Sequence, residues 1–246
     1  MAGILHAIIA PIGAGSGLVF AIDTPNINVH NLLIAQGWDG VSVVHPTLTI
    51  LATAKIYSTS TAVPAFDTGS LPVGSTVTVL NNGYILGRGG NGGNGASPPA
   101  GTSGNPGGAG GPAFKAQVPL TLTNNGIIGG GGGGGGGAYN VITGAPGGGG
   151  GIGGSSGGAG IPGSLNGTTA IAGEAGTLLA AGRGGVIINQ NGTYGSGGGG
   201  FYGTAGAAGY NLGGYIAGAG GAAGVATIGN ANITWITSGT IYGALT

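Results

Sequence analysis

The chain has 246 residues, 67 of them glycine and 12 proline, with four basic and four acidic side chains, no cysteine and zero formal net charge. That composition excludes disulfide or thiolate-metal stapling, and its few scattered cations exclude nucleic-acid binding, which relies on clustered Lys and Arg. At 41% hydrophobic and 3% charged it departs from a disordered chain, and its glycine triplets break too often, with too little proline, for collagen.

The first 22 residues, "MAGILHAIIAPIGAGSGLVFAI", are apolar but lack a basic flank, and Pro11 and four glycines interrupt them. They read as an assembly segment packed against a partner chain rather than as a signal peptide or membrane span. From about residue 23 to 86 the chain is that of an ordinary β-rich domain. "VSVVHPTLTILATAKIYS" (41–58) and "STVTVL" (75–80) are rich in Val, Ile and Thr with partial alternation, and "FDTGSLPVGS" (66–75) supplies turn residues between them. Residues 1–86 are therefore expected to form a β-rich attachment or assembly domain.

Beyond residue 87 glycine recurs every third position, as in Gly89, Gly92 and Gly95, in Gly151, Gly154, Gly157, Gly160 and Gly163, and in Gly197, Gly200, Gly203, Gly206 and Gly209. A period of three fits neither an α-helix nor a strand; it is the turn of the left-handed polyproline-II-type helix. The nine glycines at 129–137 would span roughly 28 Å at about 3.1 Å per residue. Such a helix makes no internal hydrogen bonds, yet buried glycine N–H and C=O groups need partners. The consistent solution is a bundle of parallel and antiparallel polyglycine helices bonded laterally, with glycine as the contact residue. Ordering a glycine costs about 0.5–1 kcal/mol more than ordering an alanine, so the bonding network must be dense. Residues 87–246 are thus expected to be a polyglycine-II helix sandwich with variable loops and a closing C-terminal β-strand, and the whole chain essentially free of α-helix.

A strand motif repeats within this pattern. "VTVLNNGYILGRGG" (77–90) and "LTLTNNGIIGGGGG" (120–133) align Asn82 with Asn125, Gly83 with Gly126 and Ile85 with Ile128. A looser copy, "ITWITSGTIYGALT" (233–246), places Gly239, Ile241 and Gly243 correspondingly. Each copy reads as a strand, an Asn-Gly turn signal and an isoleucine anchor, and the first two then lead into a glycine run.

Chemical motifs are sparse. "GRGGNG" (87–92) satisfies the dinucleotide-binding spacing, but no acid lies between Asp67 and Glu174, and chance accounts for it in so glycine-rich a chain. His45 with Asp39 reads as a solvated histidine near a turn aspartate rather than an acid–base pair. His6, His30 and His45 lack the spacing of a helical metal site. No catalytic residue, metal ligand or cofactor is expected, and the chain is read as a non-enzyme. The aromatics are more informative, because most flank or interrupt glycine runs: "AYNVITGAP" (138–146), "NQNGTYGS" (189–196), "FYGTA" (201–205) and "YNLGGYIAG" (210–218). Singly they read as caps on bundle ends. Collectively, tyrosines and asparagines on loops of a rigid scaffold make a recognition surface, assigned to Tyr139, Asn140, Tyr194, Tyr202, Tyr210, Asn211 and Tyr215.

Glycine runs separated by short variable loops and introduced by the N-N-G-x-I-x-G strand motif resemble the receptor-recognising adhesins at the tips of T-even-type phage long tail fibres. The resemblance covers about residues 77–246; residues 1–76 do not resemble that family's attachment domain. It implies a sandwich of polyglycine helices whose distal loops, drawn from 96–106, 138–146, 161–172, 189–196 and 210–217, bind a host outer-membrane protein or surface glycan. It further implies a virion tail-fibre location after synthesis in the host cytoplasm, and mounting on a tail-fibre shaft protein or self-association through the N-terminal part. The alternative is a structural glycine-rich protein assembling into an extracellular filament or coat, and a flat-faced ice-binding bundle is a further one.

Overall fold

The alternating Val, Ile and Thr segments form short strands that, apart from one hairpin within a glycine excursion, do not fold back on themselves. In the computed structural model, which describes residues 17–96, 103–138, 145–153, 171–189, 192–210 and 216–246, successive strands turn corners and stack as parallel coils. The first coil holds β1 (Gly17–Phe20), β2 (Thr24–Pro25) and β3 (Ile27–Asn28), followed by α1 (Val29–Ala35). The second holds β4 (Thr47–Ile50), β5 (Lys55–Tyr57) and β6 (Phe66–Asp67). The third holds β7 (Val77–Asn81), β8 (Tyr84–Leu86) and, after a glycine excursion, β9 (Phe114–Lys115). The fourth starts with β10 (Leu120–Asn124) and β11 (Ile127–Gly129), makes a longer excursion containing the antiparallel hairpin β12 (Val186–Asn189) and β13 (Gly192–Gly195), and closes with β14 (Thr227–Ile228). The last holds β15 (Ile233–Thr237) and β16 (Thr240–Tyr242).

Three parallel sheets result, ordered β1-β4-β7-β10-β15, β2-β5-β8-β11-β16 and β3-β6-β9-β14. This is a three-sided parallel β-helix. Strands from both sides of residue 87 share all three sheets, so the change in composition there marks where glycine excursions leave the body. The chain is β-rich, with one seven-residue α-helix among the described residues, its first turn capped by the Asn28 side chain accepting from the Asn31 N–H at 3.0 Å.

The repeated motif fixes the stacking. Ile128 pairs with Ile85 on one side and Ile241 on the other, the alignment expected from sequence. The expected Asn-Gly turn is not a hairpin, because β7 and β8 lie in different sheets and each pairs with its counterpart in the next coil. Glycine is required at this corner for close approach. A Cβ on Gly83 would lie 2.4 Å from the backbone oxygens of Leu51 and Ala54, and one on Gly126 2.0 Å from the Gly83 oxygen. The buried asparagines beside the corner bond from coil to coil: Asn81 Nδ2 donates to Asn124 Oδ1 at 2.7 Å, and Asn124 Nδ2 to the Ser238 carbonyl at 2.5 Å. Inward-facing ladders form one continuous core, with Leu18, Leu48, Val79 and Leu122 in register, Ile56, Ile85 and Ile128 in register, and Phe66 stacked on Phe114 at 4.6 Å. Trp235, opposite Leu122 in the last coil, packs against this core and donates its indole N–H to Asn230 Oδ1 at 3.0 Å.

The excursions form a second unit whose described segments, apart from the β12–β13 hairpin, carry neither helix nor strand and are joined by lateral backbone bonds. Its centre is the run 129–138, buried throughout. Its N–H groups donate in rotation to three neighbours: Gly131, Gly134 and Gly137 to Gly111, Gly108 and Asn105; Gly132, Gly135 and Ala138 to Ile152, Gly149 and Pro146; Gly130, Gly133 and Gly136 to Tyr242, Thr204 and Ala207. Its carbonyls accept in the same rotation. Gly87, Gly90, Gly93 and Ala96 donate to residues 129, 132, 135 and 138; Gly203, Gly200 and Gly197 donate to 130, 133 and 136; Gly224, Gly221 and Gly218 donate to 131, 134 and 137. The run is thereby surrounded by other backbones on all sides, and a Cβ on any residue from Gly130 to Gly137 would sit within 2.1 Å of a backbone oxygen.

Candidate functional site

The bond partners also fix which end of this unit each segment reaches. At the body end Gly87 bonds to Gly129, Gly131 to Gly111, Gly203 to Gly130 and Gly224 to Gly131. At the far end Ala96 donates to Ala138 at 3.1 Å, Ala138 to Pro146 at 3.0 Å, Gly137 to Asn105 at 2.9 Å and Gly218 to Gly137 at 2.9 Å. Gly209 donates to Gly218 at 2.9 Å, Tyr210 to Gly195 at 3.2 Å and Ser196 to Gly185 at 2.9 Å. Four connections therefore start from and return to one end: those flanked by Ala96 and Ser103, by Ala138 and Ala145, by Tyr210 and Ile216, and the β12–β13 hairpin. Ala96, Ala138 and Ala145 form a small buried cluster beneath them.

The sequences of these four connections carry no ionisable acid or base other than tyrosine. Residues 97–105, 138–146, 186–196 and 209–218 contain no Asp, Glu, Lys, Arg or His. Tyr210 is 51% exposed and Ile216 70% exposed here. The backbone of Tyr194 lies in β13 opposite Ile187, and its side chain lies outside the described residues. So do Tyr139, Asn140, Asn211 and Tyr215; the described residues Ala138, Tyr210 and Ile216 lie at this end.

Tyr202 sits elsewhere, contrary to its expected place on a recognition surface. It is 5% exposed, clustered with Leu86 and Ile152, and its hydroxyl donates to the Leu178 carbonyl. Its ring lies over Gly129, where a Cβ would be 3.1 Å from the ring, filling the space left by the absent side chain against sheet β2-β5-β8-β11-β16. Burial pushes its phenol up to about 12, with the neighbouring Tyr84 adding to the effect. Sequence reasoning missed this role because "FYGTA" looks like any other interruption. The signal lay in the side-chain-free position of Gly129.

Among the described residues the acids and histidines lie apart from one another. His45 Nδ1 is within 2.8 Å of Thr76 Oγ1, whereas Asp39 takes the Ser42 hydroxyl and the N–H groups of Ser42 and Val41. The Ser42 hydroxyl and these N–H groups hold the Asp39 carboxyl below its ordinary value. His30 instead makes an edge contact with Trp38. Among the described residues no cluster of His, Cys, Asp or Glu is arranged to hold a metal, and no helix is long and apolar enough to cross a membrane.

The chain thus combines a parallel β-helical body with a laterally bonded glycine unit whose four connections at the far end carry no charged residue. The chain belongs to the phage tail fibre adhesin Gp38 family, whose model matches residues 17–246. The match starts well before residue 77, so most of the N-terminal segment that looked foreign to such adhesins is part of the family. Its strands are the first two coils of the same β-helix. The structure is similar to that of the gp37-gp38 adhesin tip complex of the bacteriophage S16 long tail fibre, with 30% identity over 93% of this chain and 82% of the other and a TM-score of 0.62. No curated protein matches the sequence.

Proposed function

We propose that this protein is the receptor-binding tip of a phage long tail fibre, located on the virion, and that it contacts a host outer-membrane protein or surface glycan through the connections at the far end of its glycine unit. The observation that carries this reading is the convergence of four uncharged connections, three of them bearing tyrosine and asparagine, on one end of a backbone-locked scaffold. Its glycine segments are read as polyglycine-II helices, supported by the period-three rotation of bonds around residues 129–138. The β-helical body is the mount, and by analogy with the gp37-gp38 complex its partner is a tail-fibre shaft protein. With no charge at the recognition end, affinity rests on aromatic area and hydrogen bonds.

Binding of purified protein to host cells tests this. Tyr139→Ala, Tyr210→Ala and Tyr215→Ala are expected to cost on the order of 1–3 kcal/mol each where the residue is a hot spot, with little change in Tm. Binding is expected to vary little between low and high salt, and the protein is expected to block phage adsorption. Full binding by all three variants, or steep salt dependence, rejects this surface. Filaments that fail to block adsorption favour an assembly protein.

A further inference from the structure

The junction between body and glycine unit contains a feature that receptor display does not use. Thr61 packs against Gly111, where a Cβ would lie 2.6 Å from the Thr61 Cα, and beside this contact a half-open cavity of about 330 Å³ is lined by Thr59, Ser60, Thr61, Arg88, Asn91 and the backbone of 108–110. That volume falls at the lower end of the range of about 300–1,000 Å³ for small-ligand sites. The cavity is at the body end, next to Gly87, and so away from the connections described above.

Its chemistry is specific in a chain with four cations. Arg88 brings a guanidinium to the cavity, with Nη1 donating to the Thr59 carbonyl at 2.5 Å, and among the described residues no carboxylate lines the space. Three consecutive hydroxyl residues and the Asn91 amide add donors and acceptors. The hydroxyl loop is ordered in advance: Asn26 Nδ2 donates to Thr59 Oγ1 at 2.5 Å, the Thr59 N–H donates to Asn26 Oδ1 at 3.0 Å, and Ser58 Oγ, with one hydrogen to donate, lies 2.6 Å from each of the Ser60 and Val63 carbonyls. The backbone wall is fixed by Gly108 donating to Asn91 at 2.7 Å and Gly111 to Arg88 at 2.7 Å. Among the described residues no aromatic ring lines the cavity to stack a base, and no carboxylate or imidazole lines it to hold a cation. A planar cation beside a row of hydroxyls and an amide matches an anionic group on a polyhydroxylated ring.

We propose that this cavity is a second ligand site, for a single sugar residue bearing a carboxylate or phosphate, with Arg88 taking the anionic group and Ser60, Thr61 and Asn91 the ring hydroxyls. The test is titration of the full-length protein with glucuronate, glucose 6-phosphate and uncharged glucose, followed by amide NMR. Saturable shifts at Ser60, Thr61 and Asn91 are expected with one or both anions and none with glucose, the two anions separating carboxylate from phosphate preference. Arg88→Gln is expected to weaken binding about tenfold or more through loss of a charge-assisted bond, and Arg88→Lys to retain part of it. In the unmodified protein binding is expected to weaken as salt is raised, a readout that does not depend on any variant folding. Tyr210→Ala, at the far end, is expected to leave these shifts unchanged. Equal response to glucose, silence of the three amides with both anions, or wild-type affinity in a folded Arg88→Gln would overturn the assignment.

Discussion

Replacing Gly134 by alanine tests whether the glycine unit is held by backbone contact. A Cβ there would lie 1.9 Å from the Asn91 oxygen, and real Cβ atoms essentially never come within 3.0 Å, so segment 87–96 must retreat by at least about 1.1 Å. Two buried bonds flank the clash, from Gly90 to Gly132 and from Gly93 to Gly135, each 2.8 Å long. Lengthened by that amount they are no longer hydrogen bonds. Stranding buried groups costs about 1–3 kcal/mol each, so the loss is about 2–6 kcal/mol out of a total stability of about 5–15 kcal/mol. For a chain of this size that lowers Tm by roughly 5–20 °C. The control lies in the same unit: a Cβ on Gly198 would meet nothing nearer than 3.7 Å, so Gly198→Ala is expected to leave Tm unchanged or raise it slightly by restricting the unfolded chain. Differential scanning calorimetry of the two variants gives the answer. Equal melting temperatures would refute the claim that these glycines are contact residues, as would free amide exchange through 130–137.

Two further perturbations probe the body and its junction. Asn124→Ala removes both coil-to-coil side-chain bonds at the buried corner and is expected to cost about 1–3 kcal/mol for each group left unsatisfied; an unchanged urea midpoint would mean that the asparagine ladder contributes nothing. Tyr202, with its phenol pushed up to about 12, is expected to ionise last in an alkaline titration followed by tyrosinate absorbance. Because the folded value lies above the ordinary value of 10.0, its contribution is complete below about pH 10 and fades as pH rises towards 12. Tyr202→Phe is expected to remove that late phase, and its persistence in the variant would assign the phase to another tyrosine.

The sequence by itself determined the local rules of this protein. The period of three marks glycine as a residue whose missing side chain is the contact, and the rotation of bonds around Gly130–Gly137 follows that period. The repeated motif set the register, since Ile85, Ile128 and Ile241 meet as aligned. Only the tertiary structure decided how these pieces meet. An alternating strand has the same pattern whether its partner runs parallel or antiparallel, so the turn signalled by "NNG" did not reveal that it is the corner of a β-helix, with glycine demanded by the backbone of the neighbouring coil. A run of glycines carries no face, so nothing in 129–137 names its surrounding segments, and the end reached by each connection depends on the direction of every segment before it. Tyr202 separates from Tyr210 for the same reason: both interrupt glycine runs, but one run turns back at the body, over the bare Cα of Gly129, and the other reaches the far end. Which aromatic is buried is set by the long-range partner that each turn meets, and a glycine chain does not encode that partner locally.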